Sequence, residues 1–168
     1  LNNPAALQII ETIDPYADQM ISRQPEWFIG HKGSLAGELN SPKGIDIFSD
    51  DSIFVADTNN HRIQRFSPTG DLIDFWGTYA NIAEGDAPGG TLNQPWDVAV
   101  SSDGFVYVAD TFNHRIVKFS HDGQFIKMIG FFAEGEGADT LWGPRGIAVD
   151  PAGNVLITDT GNKRVVVY

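Results

Sequence analysis

The chain has 168 residues, enough to build a hydrophobic core, and its 42% apolar content places it among folded rather than disordered sequences. A formal net charge of −11, with no cluster of Lys and Arg to offset it, argues against a phosphate backbone as ligand. With no cysteine there is neither a disulfide nor a thiolate metal site, and no run reaches the roughly 20 apolar residues of a membrane-spanning helix.

Residues 1–22 carry no repeat and read as a linker; Asn3-Pro4 ahead of apolar positions through Glu11 predicts a short helix, with a capping Asn and Pro in the first turn. From residue 23 the pattern is all β. Gln24–Ile29 before Gly30 reads as an outer strand, 24–30. The next strands are Gly44–Phe48, Ser52–Ala56, Arg62–Phe66 and Leu72–Trp76, separated by short turns rich in Ser, Asp, Pro and Gly. The same order returns as Trp96–Val100, Phe105–Ala109, Arg115–Phe119 and Phe125–Ile129, and again as Gly146–Val149, Val155–Thr158 and Arg164–Tyr168. Three loops are nearly identical: Asp57-Thr58-Asn59-Asn60-His61-Arg62, Asp110-Thr111-Phe112-Asn113-His114-Arg115 and Asp159-Thr160-Gly161-Asn162-Lys163-Arg164, spaced 53 and 49 residues apart. Four antiparallel strands recurring about every 50 residues predict the blades of a β-propeller, each hiding its apolar faces against its neighbours.

The pattern Pro-x-Gly-Ile-x-Val, then Ile-x-Val-Ala-Asp-Thr-x-Asn-His-Arg-Ile, then Phe-x-x-x-Gly and a closing aromatic-x-Gly resembles the NHL repeat. The blades fall at 42–77, 95–130 and 144–168, the last without its outer strand. The resemblance implies an all-β propeller segment, 23–168, usually part of a six-bladed ring. Because the chain opens on an outer strand and ends before one, two readings stay open: part of a longer propeller, which the ends at Leu1 and Tyr168 favour, or two copies joined head to tail.

Antiparallel order puts the connectors between blades (31–41, 78–94 and 131–143) on one face with the Asp-Thr-x-Asn loops, and only tight turns on the other. Binding residues concentrate on loops held by a rigid scaffold, so the connector face is where a site is expected. In the repeated loops, Asp57, Asp110, Asp159, Asn60, Asn113 and Asn162 suit turn fastening by side-chain to backbone bonds. Repetition in every blade favours that role over a ring of metal or substrate ligands. His61 and His114 suit packing or hydrogen bonding better than zinc ligation, because Lys163 stands at the third equivalent place. Arg62, Arg115 and Arg164 are expected to pair with an Asp of a neighbouring blade rather than to present their guanidinium groups to an acidic ligand.

Specificity is expected from what differs between blades. The acidic connectors carry Glu84, Asp86, Glu134, Glu136 and Asp139, which offer oxygen ligands for Ca²⁺ or contacts for a basic partner; solvated loops are the simpler reading, and no other cofactor is expected. Tyr79, Phe112 and Phe132 are the aromatic candidates for a docking surface, whereas Trp76, Trp96 and Trp142 read as packing between blades.

The leading expectation is a non-enzymatic scaffold for a protein, peptide or glycan, with no nucleic acid and no membrane insertion. The resemblance also implies an alternative, a metal-dependent lyase or lactonase-like hydrolase with part of its site in further blades; His31, His61, His114 and His121 do not match those ligand sets. Bacterial relatives of this repeat are commonly envelope-associated or secreted, which implies an extracellular or cell-envelope location.

Overall fold

The computed structural model describes residues 26–135 and 137–168. The expected helix near Asn3, the whole linker (1–22), the start of the outer strand read over 24–30 and Glu136 lie outside the described residues. Strands β1 (Pro42–Ile47), β2 (Ile53–Asp57), β3 (Arg62–Phe66) and β4 (Leu72–Trp76) form an antiparallel sheet in chain order. A second such sheet holds β5 (Asp97–Val100), β6 (Val106–Asp110), β7 (Arg115–Phe119) and β8 (Phe125–Ile129). The connector after it adds a short parallel pair, β9 (Phe131–Phe132) and β10 (Thr140–Leu141). The third sheet has three strands, β11 (Pro144–Val149), β12 (Val155–Asp159) and β13 (Arg164–Val167). Each strand of the sheets lies within two residues of its predicted position.

The inner strands β1, β5 and β11 pack side by side, so the sheets are successive blades about one axis. Central strands β2 and β6 are buried at every position, because one side chain faces the blade before and the next faces the blade after. Phe54, Ile63, Leu92, Val98, Val108 and Phe119 fill the space between the first two blades, with Trp76 and Phe48 at its margin. Ala99, Tyr107, Ile116, Leu141, Ile147 and Ile157 fill the space between the second and third. Outer strands β4 and β8 are mostly exposed, the expected gradient from hub to rim.

Residues 26–31 form no strand ladder, unlike the outer strand read over 24–30. An outer strand needs a third strand beside it, and none is offered to this segment among the described residues. Phe28 is 81% exposed, Trp27 lies against Gly70 in the turn before β4, and Ile29 packs with Leu39 on the outer flank of the first blade. From Gly30 onward, however, the segment runs like the other connectors. Gly30, Gly77 and Gly130 all have positive φ, and the bridges Lys32–Leu39 and Tyr79–Leu92 match the β9–β10 pair.

Gly130 shows why glycine closes a blade. Its φ is +85°, and a Cβ there would lie 2.4 Å from Leu141 Cδ1, a fully buried side chain. Gly130→Ala combines left-handed backbone strain with overpacking and is expected to destabilise the fold by about 2–4 kcal/mol in urea titration; a loss under about 0.5 kcal/mol would show that the connector yields freely.

Candidate functional site on the connector face

Each second strand ends on an aspartate whose side chain is fully buried: Asp57, Asp110 and Asp159. After Asp57 and Asp110 the chain makes one 3₁₀ turn, and after Asp159 a hydrogen-bonded turn; it then enters the left-handed region at His61, His114 and Lys163, with φ between 54° and 56°, before the third strand begins on arginine. This turn aims the carboxylate at two targets. One oxygen accepts a backbone N–H from the connector: Asn40 (2.7 Å), Asn93 (2.6 Å) or Trp142 (2.7 Å). The other oxygen accepts from the arginine Nε at 2.7, 2.8 and 2.9 Å, and from the asparagine amide of its own loop. Each arginine thus pairs within its own blade rather than with a neighbouring blade's aspartate, because the two residues stand opposite each other on adjacent strands.

The guanidinium groups then reach past the carboxylate to the connector backbone. Arg62 donates to the carbonyls of Ser34, Leu35 and Glu38, Arg115 to those of Ala87, Pro88 and Thr91, and Arg164 to those of Gly137 and Thr140. Asn60, Asn113 and Asn162 donate to Gly33, Ala80 and Ala133. A buried ion pair is stable only when its remaining donors and acceptors are satisfied, and here the connector carbonyls satisfy them. Burial pushes the Asp110 carboxyl upward, opposed by the Asn93 N–H and the Arg115 charge. In the first blade Gln64 takes the place of Val117 and Val166; its amide donates to Asp57 and to the Glu38 carbonyl and accepts from Gly37.

A second set of bonds runs from blade to blade. The hydroxyls of Thr58 and Thr111 donate to the carbonyls of Pro95 and Pro144 at 2.8 and 2.7 Å. Gln94 and Gly143 donate N–H bonds to Nδ1 of His61 and His114 at 3.1 and 3.0 Å. On the inner strands, Asp46 accepts from Val100 N–H and Asp97 from Ile147 N–H; burial raises the Asp97 carboxyl above its usual range. Burial also lowers both histidines, and an Nδ1 that accepts an N–H must be deprotonated. Among the described residues no three of His, Asp and Glu converge to hold a metal ion.

The binding candidates do not form one cluster. Tyr79 meets the His61 ring edge-on at 4.7 Å and donates its hydroxyl to Glu84. Phe132 stacks on His114 at 4.5 Å. Asp86 borders a cleft of about 450 Å³ with Ile82, Pro88, Met128 and Phe131. Glu134 and Asp139 are exposed on the last connector. Phe112 is half exposed and lines a separate cleft of about 270 Å³ with His114, Trp142, Gly143, Arg145 and Gly161. Trp142, read as packing, is 37% exposed: its indole rests on Gly161, where a Cβ would lie 2.4 Å from the ring, and both residues line this cleft.

Three residues that the sequence did not single out as a group meet near the axis. Each follows the proline that opens an inner strand: Lys43, Trp96 and Arg145. Lys43 Nζ lies 4.3 Å from the Trp96 ring centre and the Arg145 guanidinium carbon 4.1 Å. Their common place after Pro42, Pro95 and Pro144 was the available signal.

Repeated four-stranded blades with adjoining inner strands, each carrying the same buried carboxylate–guanidinium clamp, define a β-propeller. The NHL repeat model matches residues 39–66, 92–119 and 141–168, and the chain belongs to that family. It is 30% identical over 141 residues to the protein brain tumor of Drosophila melanogaster, covering 83% of this chain and 12% of that protein. It is 28% identical over 140 residues to NHL repeat-containing protein 3 of Homo sapiens, covering 77% and 40%. The chain thus spans well under half of these relatives. Both are animal proteins and lend no support to a bacterial source or an extracellular location. Solved structures with the same fold include virginiamycin B lyase of Staphylococcus aureus (TM-score 0.53, 14% identity, 76% of this chain and 41% of that one) and a nidogen/laminin complex (TM-score 0.53, 21% identity, 75% and 42%). No helix among the described residues is long and apolar enough to cross a membrane.

The two histidines set a pH dependence. Their folded pKa values lie below the unfolded value of about 6.5, so the unfolded chain binds more protons and stability falls as pH drops through that value, levelling off below the folded one. The urea midpoint is expected to fall between pH 7.5 and 5.5. Replacing both by Asn, which tolerates the left-handed backbone and offers a side-chain acceptor, should flatten that slope; an equal slope in the double variant would assign it elsewhere.

Proposed function

We propose that this chain is a non-enzymatic binding scaffold that docks a protein, peptide or glycan on its connector face. The observation that carries this reading is the contrast on that face. The clamps beneath are the same in every blade, while the residues they present differ: Tyr79 and Glu84 over one blade junction, Phe112, Phe132 and Trp142 over the next. A rigid base under variable, half-exposed aromatics suits recognition, since aromatic side chains supply large contact area with little conformational freedom to lose. The nidogen/laminin complex among the structural neighbours is in keeping with a propeller that engages a protein. Likeness to the lyase is one of fold.

Partner capture by the chain should be tested with Phe112→Ala and Tyr79→Ala on the connector face and Lys127→Glu on outer strand β8. Loss of about 10-fold or more in affinity is expected for at least one aromatic variant, with the β8 variant unchanged. A partner lost only with Lys127→Glu would place binding on the rim and overturn the reading.

A further inference from the structure

We propose that the mouth of the propeller axis on the connector face receives an acidic peptide segment, one carboxylate of which pairs with Arg145 and Lys43 while an adjacent apolar side chain enters the cleft between Phe112 and Trp142. This deepens the scaffold reading above and rests on it.

The first support is charge. The chain carries 22 acidic and 11 basic residues. Arg62, Arg65, Arg115 and Arg164 each pair with an aspartate. Among the described residues Lys43 and Arg145 have no such partner, although both are exposed on an acidic protein. Instead both lie on Trp96, one from the blade before it and one from the blade after. The result is two cations side by side on one indole, while the neighbouring Asp97 carboxylate is already engaged by the Val98 and Ile147 N–H groups.

Geometry supplies the second support. A guanidinium stacked on an indole keeps its N–H donors in the plane, free at the edge, and that fork matches a carboxylate in two parallel bonds. Stacking also orders the side chain before any ligand arrives, so less freedom is lost on binding. Arg145 lines the same cleft as Phe112, His114 and Trp142, which is about 270 Å³, room for one apolar or aromatic side chain beside the charged edge. A cation at the rim of an aromatic slot selects an acidic residue next to an apolar one. Nucleic acid is disfavoured by the net charge of −11, because phosphate-backbone affinity needs many cations and among the described residues two lie on Trp96.

The test uses fluorescein-labelled 12-residue peptides of alternating Glu and Phe or alternating Lys and Phe, and a 12-nucleotide single-stranded RNA, titrated against the chain by anisotropy with amide NMR shifts to map the site. The Glu/Phe peptide is expected to bind, with shifts at 43, 96, 112 and 145, and affinity should fall about 10-fold or more in Arg145→Glu and several-fold in Arg145→Gln and Phe112→Ala. The Arg145 side chain makes no hydrogen bond among the described residues and its contact with Trp96 is at the surface, so the Arg145 variants are expected to keep the thermal midpoint to within about 4 °C; Lys127→Glu serves as a rim control. Equal binding of the Lys/Phe peptide, tighter binding of RNA, or no loss in Arg145→Glu would overturn the inference. Shifts centred on Tyr79 and Phe132 would overturn it while leaving the connector face as the docking surface; shifts confined to the opposite face would overturn both.

Discussion

The buried aspartate–arginine clamp is the interaction on which the rest of this molecule depends. A connector of ten or more residues without regular structure has many backbone groups to satisfy and little apolar surface to hold it down. Asp57, Asp110 and Asp159 take one connector N–H each, and the paired arginines take two or three connector carbonyls each. Neither ion would be tolerated in the interior alone. Together with the loop asparagine they leave almost no donor or acceptor open, and their bonds convert a loose loop into a fixed platform. The threonine and histidine of the same turn then reach forward to the next blade, so one short sequence fastens a blade to its own connector and to its neighbour.

This division of labour explains how a repeated scaffold carries a unique surface. Apart from the Thr91 and Thr140 hydroxyls, which accept from Arg115 and Arg164, the clamp contacts connector backbone and so places little demand on connector side chains. Ala83 to Gly90 and Ala133 to Asp139 can therefore differ freely in sequence while their backbones are held in the same way. The inner strands follow the same logic: the residue after proline varies from Lys43 to Trp96 to Arg145, while Val98 and Ile147 further along stay committed to the spaces between blades.

The fold was legible because its signals are local and repeated. Strand positions followed from β-branched and aromatic runs bounded by Gly, Pro, Asp and Asn, and each copy supported the others. What escaped was information carried between blades. Lys43, Trp96 and Arg145 are about 50 residues apart in sequence, and only the side-by-side packing of β1, β5 and β11 brings them together. The place of Trp142 was hidden for the same reason, since its indole lies on Gly161, where only a glycine leaves room for the ring. Residues 26–31 resembled the outer strands in sequence, but a strand exists only beside a partner, and similarity of the segment said nothing about whether one was there.

The most direct test of the clamp is hydrogen exchange in Arg115→Lys. Lysine keeps the positive charge near Asp110 but lacks the planar fork that reaches Ala87, Pro88 and Thr91. If the clamp holds the platform, the amides of Glu84, Thr91 and Leu92, each bonded within the connector, should lose protection by about 10-fold or more while β6 and β7 keep theirs. Unchanged protection across residues 80–92 would mean that the connector is held by its own packing, and the clamp could no longer be the base of the connector face.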